Sequence, residues 1–419
     1  MRRTFVSLRK HRNYRLFFVG QLVSVSGTWM QMVALAWVVV DSTRSPIAVG
    51  ILAFCRFIPF TLFGLAAGVL ADRFDNRRLM MATQASAMGV SVALAVLALT
   101  GAAQLWHIYL LAALGGTATV FDAPGRHALT FQMVGREELP NAVALNATLF
   151  NASRIVGPAL GGVLIATAGA GACFALNAVS FLAVLAALAL MRPEELQPVD
   201  RGETRPTMLR SAREGLAYAR RTRVVWVVLV MTTVLSTIGF NFNVLVPVLA
   251  RETLDAGPEV FGSLSASFGA GALAGALLTA WIGRASWKAL LAGTAGFGVS
   301  VLVLAPLTTV AAAAALLFAA GVFFILWNSN TQSILQLTAP DHLRGRVLSL
   351  FLFAFAGLAP LGGLLAGWLA YVGGTQLAFA AAGAAGLAMA GLGWWKSPFR
   401  EPGATGPARL EPGFVHRPE

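Results

Sequence analysis

The sequence predicts an all-α integral membrane protein whose twelve transmembrane helices form two pseudo-symmetric six-helix bundles. Three observations carry this: long apolar stretches, the placement of basic residues, and a weak internal repeat. Hydrophobic residues fill 57% of 419 positions, charged residues 12%, and the mean hydropathy is +0.72, so lipid is the chain's main solvent. A crossing helix needs about 20 apolar residues. Such stretches fall at 14–40, 47–70, 79–100, 105–121, 142–168 and 172–191, then at 223–249, 259–283, 287–305, 308–328, 346–371 and 376–395.

Basic residues test this topology independently, because short loops on the cytoplasmic side of a membrane collect Lys and Arg. With the N-terminus inside, all but four of the 31 basic residues face the cytoplasm; Arg44 and Arg251 lie outside, and Arg56 and Arg154 lie within spans. The net charge of +13 is therefore a topology signal with no nucleic-acid groove behind it. In the repeat, Gln132 and Leu139 recur as Gln336 and Leu343, and Gly161-Gly162 recurs as Gly362-Gly363.

These features divide the chain into an N-terminal bundle (1–191), a cytoplasmic linker (192–222), a C-terminal bundle (223–395) and a disordered, proline-rich cytoplasmic tail (396–419). Within the linker, Leu209, Ala212, Leu216 and Ala219 recur at helical spacing opposite arginines, as in a helix lying on an anionic leaflet. The first apolar stretch is too long for a cleaved signal segment. Cys55 and Cys173 sit on different spans and suggest neither a disulfide nor a metal site.

Gly68-Val69-Leu70-Ala71-Asp72-Arg73, followed by Arg77-Arg78-Leu79, lies where the second apolar span gives way to the third. This run resembles the loop signature of the major facilitator superfamily of transporters, with Asp75 and Asn76 replacing a usual glycine and a usual basic residue. Ser153, Gly157, Pro158, Gly161 and Gly162 resemble a motif of that superfamily's exporters, with Ser153 in place of its first glycine. Together with Asn141 to Asn146 and Arg154, the run Asp122 to Arg126 resembles the branch containing enterobactin-type siderophore exporters and macrolide-efflux proteins.

The resemblance implies two six-helix halves around a midplane site. It further implies a cytoplasmic gate at Gly68, Asp72, Arg73, Arg77 and Asp122, with Asp72 facing the N-terminus of the eleventh span and Asp122 paired with Arg73 or Arg77. The small-residue stripe of the fifth span would slide on one in the eighth, Ser263, Ser267, Gly271 and Gly275. Spans one, four, seven and ten would line the cavity, offering Gln21, Ser24, Thr28 and Gln31 from the first and Ser236, Phe240 and Asn243 from the seventh. An arginine common within the fourth span of drug antiporters has no counterpart in Leu111 to Leu114.

No Asp or Glu lies deep in a span, which leaves Asp122 as the expected proton-coupling group. Arg56 and Arg154 each cost about 2.5–3.5 kcal/mol at mid-membrane and need compensation, either from protein and water or from an anionic substrate.

The function expected is ion-gradient-driven export, with the proton as coupling ion, of small amphiphilic or anionic compounds such as siderophores or drugs. Expected too are a monomer, a bacterial inner-membrane location with both termini cytoplasmic, and no cofactor, metal or nucleic acid. An uptake permease and a lysophospholipid transporter are the nearer alternatives. A membrane enzyme or a sensor is the distant one, since His107 has no catalytic partner in view, no phosphate-binding loop occurs and no output domain is evident.

Overall fold

A computed structural model describes residues 5–198 and 208–397, with side chains at 65, 66, 68–73, 208–212, 341 and 342 left aside. A short helix, α1 (Val6–Lys10), precedes α2 (Arg12–Thr43), α3 (Pro46–Arg73) and α4 (Asn76–Leu99). The run α5 (Leu105–Ala189) is broken at Gly135 (φ 73°) and Gly169 (φ 80°) into rods α5a (105–134), α5b (136–168) and α5c (170–189). Both breaks use the left-handed backbone that glycine adopts without a Cβ penalty.

After the linker helix α6 (Met208–Arg221), α7 (Arg223–Val234) and α8 (Phe242–Val248) form one span interrupted by π turns. Then come α9 (Pro258–Ile282), α10 (Trp287–Leu304), α11 (Val310–Thr338) and α12 (Asp341–Leu352). The last, α13 (Ala359–Trp395), breaks at Gly373-Gly374 into α13a (359–372) and α13b (375–395).

Nine runs among the described residues are long and apolar enough to cross a membrane, and dividing them at these breaks is consistent with twelve crossings. No strand occurs among the described residues. Each crossing reverses the last, so residues 12, 73, 134, 189, 223 and 338 share one end of the molecule, the terminal end. Residues 43, 99, 168, 253, 304 and 372 share the far end.

The fourth crossing differs from its expectation. Its apolar stretch stops at 121, yet α5a continues to 134, so Asp122 sits three turns inside a helix and is 3% exposed. Polar neighbours on α4 supply the hydrogen bonds that let the helix carry a carboxylate there.

Glycine registers set how the halves meet. A Cβ on Gly162 of α5b would come within 2.6 Å of the Pro258 carbonyl and 2.9 Å of the Gly262 Cα on α9. Across the pseudo-symmetric seam, a Cβ on Gly367 of α13a would approach the Pro46 carbonyl at 2.7 Å and the Gly50 Cα at 3.1 Å on α3. Backbones approach this closely only where side chains are absent.

Nearer the far end, Trp37 stacks on Phe261 with centroids 6.2 Å apart, and Arg251 meets Asp41 at 2.9 Å. At mid-depth, Thr61 donates to the Gly357 carbonyl at 2.6 Å. These three contacts between the halves lie at mid-depth and toward the far end.

Candidate substrate cavity between the halves

Below those seams lies an open cleft of about 790 Å³, bordered by Trp29, Met32, Ala36, Arg56, Arg154 and Pro158 from the N-half and Phe242, Asn243, Phe261 and Phe268 from the C-half. A second chamber of about 770 Å³ shares Arg154, Phe242, Asn243 and Phe268, and adds Ser236, Phe240, Phe324 and Phe355.

Arg56 and Arg154 thus border one continuous space. Neither guanidinium has a hydrogen-bond or carboxylate partner among the described residues, and no Asp or Glu borders either chamber. Arg154 lies over aromatic faces instead, its guanidinium carbon 4.7 Å from the Phe268 centroid, 5.6 Å from Trp29 and 5.7 Å from Phe324. Such contacts compensate part of a cation's desolvation and leave its N–H donors unused.

Of the seventh-span residues expected at the cavity, Ser236, Phe240 and Asn243 all border it. Phe240 also centres an aromatic cluster, with Phe297, Phe324 and Trp327 centroids 4.7–4.8 Å away. Ser236 donates to the Phe355 carbonyl.

The first span is rotated from its expectation. Gln31 accepts from Ser91 at 2.7 Å and from Asn177 at 2.8 Å, Ser24 meets Gln84 at 3.5 Å, and Thr28 donates to its own helix at the Ser24 carbonyl. Gln21 is 3% exposed, with no hydrogen-bond partner for its amide among the described residues. The polar face of α2 therefore meets its amide and hydroxyl partners inside the N-half, while Trp29, Met32 and Ala36, about a quarter turn away, face the cavity.

The expected sliding stripes are also redistributed. Gly157 and Gly161 pack on Trp29, Ser26 and Met30 of α2, and Ser153 accepts from Ser26 at 3.0 Å. Gly271 and Gly275 pack on Phe318 and Val322 of α11, and half-buried Ser267 donates to the Ser263 carbonyl. Gly162 and the Pro158 carbonyl reach α9, where Gly262 receives them, and one to two turns away Gly269 meets the Arg154 carbonyl. Consecutive residues point about 100° apart, so Gly161 faces α2 while Gly162 faces α9.

At the terminal end, Asp122 pairs with Arg126, one turn along its own helix, and accepts from Gln84 at 2.8 Å and Thr83 at 3.2 Å. Arg77 turns away from it, donating to the Leu188 and Ala189 carbonyls at 2.6 and 3.1 Å, where the last turn of α5c leaves acceptors unpaired. The expected Asp122 pairing with Arg77 is thus replaced by one with Arg126, the nearer guanidinium. The side chains of Asp72 and Arg73, and Gly68 with them, lie outside the described set. Asp75 accepts from the Arg78 N–H at 2.9 Å and caps α4, which accounts for an aspartate in place of the signature's glycine.

An all-helical membrane protein with two halves flanking a midplane cleft has the architecture of a major facilitator transporter. The chain belongs to that superfamily's transmembrane secretion effector family, which it matches over residues 3–407. Among its relatives, the staphyloferrin A transporter of Staphylococcus aureus is 27% identical over 84% of this chain and 88% of its own. The multidrug efflux pump Tap of Mycolicibacterium fortuitum is 28% identical over 87% and 91%. Macrolide efflux protein A of Streptococcus pyogenes is 24% identical over 68% and 71%.

A solved peptide-transporter-family protein in complex with a thioalcohol-conjugated peptide superposes with a TM-score of 0.76 at 11% identity, covering 92% of this chain and 96% of its own. A nucleoside transporter superposes at 0.75 with 9% identity, covering 92% and 100%. At such identities these likenesses show the fold. The chain is a multi-pass membrane transporter of small molecules and not an enzyme.

Proposed function

We propose that this transporter exports small amphiphilic or anionic compounds across a bacterial cytoplasmic membrane by alternating access, driven by the proton gradient, with both termini in the cytoplasm. The observation that carries the reading is the cleft bordered by both halves, with Arg56 and Arg154 from the N-half and Phe242 and Phe268 from the C-half, beneath the glycine seams Gly162 on Gly262 and Gly50 on Gly367. A substrate entering from the terminal end would come from the cytoplasm, given the basic loops at that end. The efflux named for two of the relatives agrees.

In this reading Gly68, Asp72 and Arg73 form the cytoplasmic gate with the α3–α4 turn, and Asp122 carries the coupling proton. Asp122 is buried, with Arg126, Gln84 and Thr83 as its partners. The test uses inverted vesicles holding the protein, an imposed pH gradient and a fluorescent amphiphile. Accumulation in the lumen is expected in wild type; Asp122→Asn should lose gradient-driven accumulation and keep substrate exchange. Accumulation only in right-side-out vesicles overturns export, and full gradient-driven transport in Asp122→Asn overturns the coupling assignment.

A further inference from the structure

The two halves present different chemistry to the cavity. At the seams Gly162 meets Pro258 and Gly262 of α9 as Gly367 meets Pro46 and Gly50 of α3, which equates Gly50 with Gly262; six residues further on stand Arg56 and Phe268. Arg154 of the N-half and Phe355 of the C-half border the cleft or its second chamber as well. Both arginines of the cavity thus come from the N-half, and Phe268 and Phe355 from the C-half.

Two cations in one cavity repel each other and are costly to desolvate, and bordering carboxylates would offset that cost. None borders the chambers among the described residues. The donors of Arg56 and Arg154 remain unused toward protein, whereas Gln31, Ser24 and Asp122 all find partners inside the N-half. Opposite them, Phe240, Phe242, Phe268, Phe324 and Phe355 form an almost continuous aromatic wall, with Phe242 and Phe268 centroids 4.5 Å apart and Phe240 and Phe324 4.8 Å apart. Arg154 spans the two surfaces by lying over Phe268 and Phe324.

We infer that the cavity binds its cargo in one orientation, a carboxylate or like anion held by Arg56 and Arg154 of the N-half and an aromatic body laid on the C-half wall. The proposal rests on the transporter reading above and specifies its substrate class as aromatic carboxylates. A guanidinium offers a carboxylate two parallel donors, and an aromatic body gains from stacking, so an apolar monoanion uses both walls where a neutral analogue uses one. Hydrogen bonds to charged groups contribute about 1.5–3 kcal/mol, which corresponds to a preference of roughly ten- to a hundredfold.

The test measures binding to the full chain in nanodiscs by equilibrium dialysis. The probes are salicylate and 1-naphthoate, their neutral amides, and citrate as an anion without a ring. Wild type should prefer each carboxylate over its amide by at least about tenfold and prefer 1-naphthoate over citrate. Arg56→Gln and Arg154→Gln should each shrink the carboxylate preference; Arg154→Lys should retain part of it; Phe268→Leu should weaken naphthoate and naphthamide alike.

Equal affinity for acids and amides in wild type, absence of naphthoate binding at millimolar concentration, or a preference that survives the Arg56→Gln/Arg154→Gln pair each overturns the proposal, and the first two require no variant. Gradient-driven accumulation of a neutral amphiphile separates the layers. If it persists without carboxylate preference, the subsite fails and the exporter stands; if the preference holds without any transport, the exporter reading fails instead.

Discussion

Glu138 shows what a single residue contributes at the start of α5b. It receives Lys10 and His11, while the Ser7 hydroxyl donates to its carbonyl at 3.3 Å and to Asn141 at 2.8 Å, so one carboxylate and one amide dock α1. The hydrogen bond from the Lys10 ammonium holds the Glu138 carboxyl below its ordinary 4.5. A depressed carboxyl pKa stabilises the folded state above the unfolded value, and that contribution disappears as pH falls below about 4.5 through the folded value. Hydrogen exchange of α1 should therefore be slow at pH 7, accelerate below pH 4.5, and be fast at pH 7 in Glu138→Gln. Pairings of this kind are hidden in a linear reading, because residues 10 and 138 are neighbours only once four crossings have stacked. Arg77 is a second case: its place in a loop signature was legible, and its bonds to the α5c carbonyls were not, since helix ends in space decide which acceptors are unpaired.

Glycine stripes were legible as small-residue faces, and their partners were not, because a face at every fourth residue does not say which of two neighbouring helices it meets. The structure sorts them. Gly162→Leu and Gly50→Leu put a side chain into a seam between halves and should cut transport strongly while melting within a few degrees of wild type. Gly271→Leu wedges α9 from α11 inside the C-half and should instead lower stability by about 1–3 kcal/mol or more. Melting of detergent-solubilised protein alongside vesicle transport distinguishes the two; equal melting loss for all three would mean that Gly162 and Gly50 are internal packing as well. The Gly161-Gly162 and Gly362-Gly363 repeat was the better guide, since each pair touches the same two partners in its half's terms: Gly161 meets α2 and Gly362 meets the Ser236 and Thr237 turn, while Gly162 and Gly363 face across the seam.

At the scale of the whole molecule, an all-helical membrane fold was readable because it follows from composition over many residues, whereas the rotation of α2 depends on where buried amides find partners. The closure of the far end is likewise a tertiary fact. Arg251, 22% exposed, meets Asp41 across the halves and lies 5.9 Å from the Trp37 centroid, with Asp255 at 3.8 Å on its other side. All of these contacts must part if the cleft is to open there. A partly exposed pair contributes about 0.2–1 kcal/mol, a shift of up to roughly fivefold in the balance between far-side-closed and far-side-open forms. Asp41→Asn should therefore raise the labelling rate of a Ser265→Cys reporter, which borders the cleft, by a few-fold from the far side. Trp37→Ala should raise it further by removing the stack on Phe261 as well as the ring beside Arg251. Because Asp255 can take over the guanidinium, Arg251→Gln should exceed Asp41→Asn in effect. Identical labelling in wild type and all three variants would place the energetic seal in the glycine seams alone and leave the Asp41–Arg251 pair without a part in closure.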